Sequence, residues 1–512
     1  MSKDITIPGF KGGQSVDLYD SLQKQSFQKS DNLDVFVDSN VLTPLAKKLT
    51  AVTLPAVAGH TDILVKNSFY ASNSKQYFAG SATISAASNF VLWSTDTLES
   101  SPTWGMAYAS GGTGTPGNSV LEEYKDGLFF GWGTNLDRWG NLSGSPSRTN
   151  IGTVTTGVTY LRSHRGLGYL YFAHNSGHTI GRYDNTTFTA SLLVLENDDV
   201  VVGIEEMGQW VVVGVRGSGS RRDRFLIWDG SSTTVTDVIN INDNGLQGFK
   251  VINGVITYIT LTNANTNYLR LAIIGGGGRS EVVKEQQVAT GTASVEIFNN
   301  FSSFGDVFFY GLNGPADSRL DLGIFAYGTP KSTISKYHTL WSLVSTGVLT
   351  AVSISSIKYS GTTMVVTWGS TSGGNGTQHI DAFGGNITAA VPTGVYESNI
   401  FPIGNPGKIK RIIINHKPLP ASCGFTVQVK HYGHYPKGTS IPAEDSYATL
   451  FTPEGNAATS GMSQSTTNTT YTEIDQPNVF KEARFAQIKI SFDEVLTTNA
   501  ASIVFPILIE TE

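Results

Sequence analysis

Two pairs of histidines have a spacing that can hold a metal ion. His174 and His178 stand at positions i and i+4, which place both imidazoles on one face when the segment is helical. The residues between them are Asn, Ser and Gly, which break a helix and favour a hairpin. His431 and His434 form a similar pair, again without a second group of ligands. We therefore expect hydrogen-bonded or solvent-facing histidines and no bound metal.

Two pairs of carboxylates could serve acid–base chemistry if they met in a cleft. Asp198 and Asp199 are adjacent, as are Glu205 and Glu206. Neighbouring residues of a strand point to opposite faces, so neither pair makes a site by itself. The sequence predicts no catalytic residue and a protein that is not an enzyme.

Two loops could bind an anion. The run from Gly275 to Arg279 is glycine-rich but lacks the Lys and Ser/Thr of a phosphate-binding loop, which indicates a flexible turn. The segment from Arg216 to Arg224 holds four arginines and could touch nucleic acid or an acidic neighbour. A solvated loop is the simpler interpretation, so no cofactor-binding residue is predicted.

The strands that position these residues are predicted from a short sequence pattern, a turn residue followed by an aromatic run, that recurs along the chain and is here called the repeated phrase. Asp126 and Gly127 form a turn pair, and the apolar run 128–132 follows at once, which predicts a hairpin entering a buried strand with Gly at positive φ. A glycine precedes a similar aromatic run at five later places, namely Gly168, Gly208, Gly254, Gly305 and Gly361, and a weaker first copy has Ser74 in the turn. Within 10–20 residues of most of these strands comes another strand that ends in an aromatic or Gly-rich turn.

The spacing between copies of the repeated phrase predicts the fold class. Successive turn glycines from Gly127 to Gly361 lie 40 to 56 residues apart, and short strands with a period of roughly 40–50 residues are typical of β-propeller blades. Seven copies predict about seven blades in an all-β protein. The drift in period leaves six or eight blades open, as well as an array of β-sandwiches.

Composition agrees with an all-β protein and disfavours several functions. Charged residues make up only 15% of the chain, against the usual roughly 25%, while glycine is abundant with 56 residues. The net charge of −6 disfavours a protein whose main task is to grip nucleic acid. The single cysteine, Cys423, suits folding in a reducing cytoplasm, and no apolar run is long enough for a membrane span.

The composition and the strand pattern of the sequence change twice along the chain, which predicts three domains or segments. Residues 1–50 open with turns and are interpreted as an extended N-terminal arm, and residues 51–395 as the β-propeller. After a Pro/Gly-rich boundary, residues 396–512 contain longer strands, such as 424–432 and 485–492, in which apolar and polar residues alternate. Such strands predict a C-terminal β-sandwich or jelly-roll-like domain. The segment 455–472, rich in Ser, Thr, Asn and Gly, is predicted to be a loop.

Taken together, the chain resembles tail-hub or nozzle (tail tubular) proteins of tailed bacteriophages. The resemblance is carried by a Gly-Gly arm followed by Asp-Asn-Leu-Asp-Val-Phe at 31–36, by an irregular propeller without WD or kelch signatures, and by the ending Arg-Phe-Ala-Gln-Ile-Lys-Ile at 484–490. It implies a non-enzymatic virion protein, assembled in the host cytoplasm, that forms a homo-oligomeric ring around the channel that DNA crosses. The implied partners are copies of itself, a portal adaptor and fibres.

Two other functions remain open on the sequence alone. A carbohydrate- or receptor-binding propeller would need aromatic platforms at matching places on the blades, and Tyr and Trp do recur at strand positions. A propeller glycosidase would need several carboxylates that converge on the central funnel, whereas the strands that begin the blades contain few acids.

Overall fold

The computed structural model describes most of the chain and is built from strands. It describes residues 3–10, 13–14, 25–36, 38, 40–45, 48–49, 61–84, 87–95, 104–109, 120–196, 198–262, 268–275, 278–287, 301–312, 314–315, 323–328, 337–341, 351–360, 363–369, 378–384, 393–419, 424–434, 443–444, 447–449, 471–475, 480–492 and 501–512. In these ranges the one helical segment is a 3-10 turn, Asn175–Gly177. Nowhere in them is there a helix with the length and hydropathy to cross a membrane.

The strands in chain order begin with β1 (Lys3–Ile7), β2 (Gly13–Gln14), β3 (Ser26–Asp31), β4 (Leu33–Asp34), β5 (Val41–Pro44), β6 (Lys48–Leu49), β7 (Thr61–Tyr70), β8 (Gln76–Ile84), β9 (Ala87–Thr95), β10 (Trp104–Ala109), β11 (Leu121–Glu123), β12 (Gly127–Trp132), β13 (Asn135–Gly140), β14 (Ser147–Thr153), β15 (Tyr160–His164), β16 (Tyr169–His174), β17 (Thr179–Tyr183), β18 (Phe188–Val194), β19 (Val200–Met207), β20 (Trp210–Arg216), β21 (Arg224–Trp228) and β22 (Asp237–Asn240). They continue with β23 (Leu246–Ile252), β24 (Val255–Thr262), β25 (Tyr268–Ile274), β26 (Ser280–Gln287), β27 (Phe301–Phe304), β28 (Val307–Leu312), β29 (Gly314–Pro315), β30 (Gly323–Gly328), β31 (Tyr337–Trp341), β32 (Ala351–Ser360), β33 (Thr363–Gly369), β34 (Gln378–Gly384), β35 (Val395–Ser398), β36 (Phe401–Gly407), β37 (Ile409–His416), β38 (Phe425–His434), β39 (Ala443–Glu444), β40 (Ala448–Thr449), β41 (Tyr471–Ile474), β42 (Ala483–Phe492) and β43 (Ile503–Thr511).

The chain divides into two compact units. The first, here called the sandwich unit, contains residues 1–49, 324–347 and 383–512. The second, the propeller unit, contains residues 50–323 and 348–382. This division differs from the three successive segments that the sequence predicts, because strand pairing draws the first 49 residues into the same unit as the C-terminal strands.

The propeller unit is a ring of antiparallel sheets, as the repeated phrase predicts. Five complete four-stranded sheets follow one another as β7–β10, β11–β14, β15–β18, β19–β22 and β23–β26. The hairpin β27–β28 and the sheet β32–β33–β34 continue the series. The inner strands β7, β11, β15, β19, β23, β27 and β32 are each adjacent to the next, and β32 lies against β7. Seven inner strands therefore close the ring, and the fold is a seven-bladed β-propeller.

Tight turns join the first and second strands of the blades. At Asn253 and Gly254 both φ angles are positive, at 51° and 75°, which is the conformation of a two-residue hairpin turn. Gly208 also has positive φ, in the two-residue turn after Met207. The expectation is wrong for Gly127, because positive φ there falls on Lys125. The equivalent turn at Gly361 lies outside the described residues.

Aromatic rings fill the spaces between neighbouring blades. Phe90 of β9 stacks on Phe130 of β12 with ring centroids 4.6 Å apart. Tyr171 of β16 meets Trp228 of β21 edge-to-face at 5.4 Å. Because each ring belongs to a different sheet, these contacts bury apolar area exactly where two blades meet and hold adjacent blades together.

Glycines in the fourth blade admit a ring from the fifth. A Cβ atom at Gly214 would lie 2.6 Å from the ring of Phe249, and one at Gly203 would lie 2.8 Å from it. Both positions lie on the face of the sheet that packs on β23. Only glycine leaves enough room there for the aromatic side chain.

The sandwich unit consists of two sheets around one core. One sheet has the order β4-β5-β43-β37-β41, with β1 paired to β43, and the other includes β31, β3, β35, β42 and β38. Buried side chains of both sheets share a single apolar cluster, which includes Phe27, Ile412, Val427, Ile490 and Ile507. The long strands predicted at 424–432 and 485–492 are β38 and β42.

The described strands of the N-terminal segment belong to the sheets of the sandwich unit. All five residues of β1 pair with β43, and β3 pairs with β35. Phe10 is fully buried and packs edge-to-face on Phe505 at 5.2 Å. Phe10 and Phe27, among the described residues of the segment, are therefore part of the core, which the turn-rich composition of residues 1–50 does not reveal.

Candidate functional site

The inner strands bring six ionisable side chains to the axis of the propeller unit. They line one small cavity of about 90 Å³, together with Tyr160, Phe249 and Phe301, and are Lys66 of β7, Glu122 of β11, Arg162 of β15, Glu205 of β19, Lys250 of β23 and Lys358 of β32. Inner strands of a propeller point alternate side chains toward the axis, so one residue from each blade converges there. We call this group the axial cluster.

Glu205 is the anionic centre of the axial cluster. Its carboxylate is buried, lies 3.0 Å from Arg162 Nη2 and is also paired with Lys250 Nζ. Burial alone would raise the pKa of Glu205, but the positive charges of Arg162 and Lys250 outweigh it and leave the pKa below its usual value. Glu205 is therefore ionised at neutral pH and engaged on both sides.

Glu122 is held by a different kind of partner. Its Oε1 accepts hydrogen bonds from the backbone N–H of Ser163 at 2.9 Å and from the Ser163 hydroxyl at 2.6 Å. The side chain is buried like that of Glu205. With neutral donors on Glu122 and cations on Glu205, neither carboxylate is available as a free acid–base pair of the kind that a glycosidase uses.

Burial and neighbouring charges change the pKa values of three cations of the axial cluster. Burial, with Lys250 as the next contributor, lowers the pKa of Lys358 to about 8. Burial also lowers the pKa of Lys66. The neighbouring carboxylate of Glu205 raises the pKa of Arg162.

A wider groove adjoins the axial cavity. Its volume is about 910 Å³, and it shares Glu122 and Arg162 with the cavity. Its other lining residues lie on the first three inner strands, on the turns that follow them and at the end of the fourth, and include Tyr70, Glu123, Arg165 and Glu206. Pockets of roughly 300–1,000 Å³ are the size of small-ligand sites.

His164 on the wall of the groove has a fixed orientation. Its Nδ1 accepts a hydrogen bond from the backbone N–H of Leu167 at 3.1 Å, so its Nε2 donates to the carbonyl of Trp210 at 3.2 Å. The Glu206 carboxylate lies 3.6 Å from Nδ1. Nε2 thus joins the third blade to the fourth, while Nδ1 is used within the turn of the third blade.

The first histidine pair is structural, as predicted from the residues between its members. His174 is buried, and its Nε2 lies 2.6 Å from the carbonyl oxygen of Ala190. His178 Nδ1 lies 2.6 Å from the carbonyl oxygen of Asp199. Burial lowers the pKa of His174, which favours the neutral ring.

The second histidine pair and the glycine run give no site in the part of the chain that the structure describes. His431 is buried, and its Nε2 accepts a hydrogen bond from the backbone of Lys481 at 3.4 Å. Across the described ranges, no three His, Cys, Asp or Glu side chains are grouped so that they could hold a metal ion. Gly275 and Gly278 lie in the turn between β25 and β26, whereas Cys423 and most of the 455–472 loop lie outside the described residues.

The two acidic pairs do diverge, but one member of each is deeply engaged. Glu205 faces the axial cavity while Glu206 faces the groove. Asp199 is fully buried and lies 2.6 Å from Arg224. Burial by itself would raise the pKa of Asp199, but hydrogen bonds from Arg224 and Ser218 lower it.

The basic loop at 216–224 is tied to its own unit. Arg221 pairs with Glu196 at 2.6 Å and with Asp199 at 3.2 Å. Arg216 donates two hydrogen bonds to the carbonyl of Leu246, at 2.9 and 2.6 Å. These contacts connect the fourth blade to its neighbours and leave Arg222 as the exposed arginine of this loop.

Sequence reasoning did not find the axial cluster. The usable signal was a charged residue in the apolar strand just before a turn residue of the repeat, as with Glu122 before Gly127 and Lys250 before Gly254. The axial residues lie on the first strand of each blade, whereas the repeated phrase marks the second strand. Across the seven first strands there are five acids and four Lys or Arg residues. Aligning the repeats on their turns predicts which positions face the axis only once the strand register is known.

Comparisons with known proteins bear on the fold alone. No protein-family model matches the chain, and no curated protein matches it significantly. Among solved structures, the chain is similar to a mitotic checkpoint complex chain (12% identity, 66% of this chain and 94% of that chain covered, TM-score 0.40). It is also similar to the Cps50 (Swd1) β-propeller domain of Myceliophteria thermophila (10%, 63% and 99%, 0.39) and to the Pan2 WD40 domain of Neurospora crassa (8%, 69% and 98%, 0.41). None of the three is described as a phage protein, and at these identities and TM-scores they carry no functional argument.

Proposed function

We propose that the chain is a non-enzymatic structural protein of a tailed-phage virion, a ring-forming tail hub or nozzle component. The presence of a β-propeller unit and a β-sandwich unit in one chain supports the proposal, as does the resemblance in the sequence. The engagement of both axial carboxylates supports a non-catalytic role.

The observation that supports self-assembly is the exposure of apolar side chains on the outer edge strands of the blades. Three consecutive edge strands each present an exposed apolar side chain, namely Val194 of β18 (63% exposed), Val238 of β22 (40%) and Val282 of β26 (48%). Edge strands also leave backbone N–H and C=O groups without a strand partner, which makes them templates for another chain. A second copy of this chain is the occupant that the proposal requires.

The DNA channel of the proposed assembly lies between copies. The axial cavity of about 90 Å³ is filled around its rim by the side chains of the axial cluster. It is far too small for a duplex, whose groove alone is roughly 12 Å wide. DNA would therefore pass through the centre of a ring of several chains, and a portal adaptor and fibres would bind the outside of that ring.

Light scattering on the purified full-length chain tests the proposal. We expect the mass of a ring of several copies, and a lower mass for a variant with Val194→Lys, Val238→Lys and Val282→Lys. Truncating residues 1–50 is not a clean test, because β1 and β3 belong to the sandwich sheets. A monomer at all concentrations, with no ring in negative-stain images, would refute self-assembly of the chain alone.

The groove favours a second candidate, a carbohydrate- or receptor-binding propeller. Tyr70 is 40% exposed beside the polar groups of Glu123 and Arg165, and an aromatic face next to polar groups suits a sugar ring. A glycan array with the wild type and Tyr70→Ala tests this function. Binding that Tyr70→Ala abolishes would favour it, and an array without signal would exclude the groove as a glycan site for the sugars displayed.

A further inference from the structure

The axial cluster holds more positive than negative charge. Its bases are Lys66, Arg162, Lys250 and Lys358, and its acids are Glu122 and Glu205. With all groups in their usual ionised forms, the cavity carries a net charge of about +2. A positive excess among the described lining residues of a low-dielectric site favours the binding of an anion there.

The groove next to the cavity is closer to balance. Its acids are Glu122, Glu123 and Glu206, and its bases are Lys125, Arg162 and Arg165. The positive excess therefore belongs to the cavity and not to the whole face of the propeller. An anion that entered through the groove would find its strongest attraction at the axis.

One donor of the axial cluster is left without an acceptor. Nε of Arg162 is buried and makes no hydrogen bond to any described residue, while Nη2 of the same guanidinium pairs with Glu205. A guanidinium offers five N–H donors in a planar fork that suits oxyanions. A buried donor without an acceptor is unfavourable, so an anion that reached Nε of Arg162 would gain a hydrogen bond at no cost to another contact of that atom.

The size of the cavity limits the ligand. About 90 Å³ is the space of roughly three waters, and it is smaller than the roughly 150 Å³ cavity that holds a benzene molecule in another protein. A tetrahedral oxyanion of five heavy atoms fits this range. A larger ligand can place only one such group at the axis, with its remaining atoms in the groove.

We propose that the axial cluster is a binding site for a doubly charged tetrahedral oxyanion, a phosphate or a sulfate, either free or as the terminal group of a polar ligand that lies in the groove. The four bases of the axial cluster supply the positive charge, and the Arg162 guanidinium, whose Nε makes no hydrogen bond to a described residue, supplies the directed hydrogen bond. The site would be present whether or not the chain assembles into a ring.

Isothermal titration of the full chain with inorganic phosphate, and separately with sulfate, tests the site. The titrations are run at fixed ionic strength against sodium chloride, since these anions also stabilise proteins by exclusion from the surface, without saturation. We expect saturable binding of one anion per chain. We expect Lys358→Met to weaken that binding about tenfold or more, because a charged hydrogen bond contributes roughly 1.5–3 kcal/mol.

Matched variants make the outcome decisive. Arg279→Gln removes an exposed cation of the same unit and is expected to leave binding unchanged. Lys66→Met is the second axial variant, to be used if Lys358→Met does not fold, and it should weaken binding in the same way. Absence of saturable heat, or equal affinity in the axial variants and Arg279→Gln, would overturn the proposal.

A sugar phosphate distinguishes the two sources of the anion. Tighter binding of the sugar phosphate than of inorganic phosphate would support a ligand whose body lies in the groove. Equal affinity would support a free anion at the axis. In both cases the loss of affinity in Lys358→Met remains the requirement.

Discussion

Replacing Lys358 by methionine should stabilise the propeller at neutral pH. Burial among Lys250 and Arg162 lowers the pKa of Lys358 from 10.5 to about 8, while Glu122 and Glu205 oppose the shift. Lowering the pKa of Lys358 from 10.5 to about 8 corresponds to an upper limit of about 3–4 kcal/mol for the cost of the protonated form. Because the side chain is partly exposed, we expect a gain of about 1–3 kcal/mol in the free energy of unfolding. Methionine keeps the apolar stem and omits the charge.

The pH dependence gives this prediction its sign. Below pH 8 Lys358 is protonated in both the folded and the unfolded chain, so the full cost is present. Between pH 8 and pH 10.5 the unfolded chain binds more protons, and the free energy of unfolding of the wild type therefore rises with pH. Lys358→Met should lack that part of the rise, and the two proteins should approach equal stability near pH 10.5.

Urea denaturation at pH 7 and at pH 10, in a buffer without phosphate or sulfate, measures both effects. Urea is preferred over guanidinium chloride because the latter screens charges. Lys410→Met, which removes an exposed lysine of β37, is the control and should change stability by less than about 0.5 kcal/mol. The reasoning is refuted if Lys358→Met lowers the free energy of unfolding at pH 7, or if its pH dependence matches that of the wild type.

Three further substitutions test other parts of the structure. Glu205→Gln should destabilise the chain by about 3–5 kcal/mol in chemical denaturation, because it removes the buried carboxylate that pairs with two partly buried cations. The wild-type contribution, measured across pH, should disappear as the pH falls through the lowered pKa of Glu205. Gly214→Ala should lower stability by about 1–3 kcal/mol, because a Cβ there would overlap Phe249, and a thermal shift below about 1 °C would contradict the packing argument. Asp199→Asn should lower stability by about 2–4 kcal/mol by weakening the buried pair with Arg224, and unchanged protease resistance of the 216–224 loop would count against that role.

The sequence predicts the propeller well because blade structure is local. Each blade is a run of neighbouring strands joined by short turns, and turn residues such as Gly208 and Gly254 mark the first hairpin directly. The place of the N-terminal segment is not local. Pairing of Lys3 with Thr511 spans nearly the whole chain, and no periodicity within residues 1–50 encodes it.

The axial cluster is harder to predict than the fold for a geometric reason. Its members come from six blades, and in each strand no other charged residue adjoins the member except a second acid beside Glu122 and Glu205, a pattern that usually indicates a solvated face. Bulges change the register within several inner strands, as between Val201 and Gly203. The face on which a residue lies therefore cannot be counted reliably from the turn.

The cost of the axial charges separates two explanations of the same cavity. Replacing buried ionic groups with apolar ones of similar size is often neutral or stabilising, so packing alone gives no reason for a net charge of about +2 on the axis. If Lys358→Met stabilises the chain and weakens phosphate binding, the lysine is retained at the expense of stability and acts on an anion. If Lys358→Met destabilises the chain, the six side chains form a structural network that holds the blades together. The charges on the axis are then explained without a bound anion.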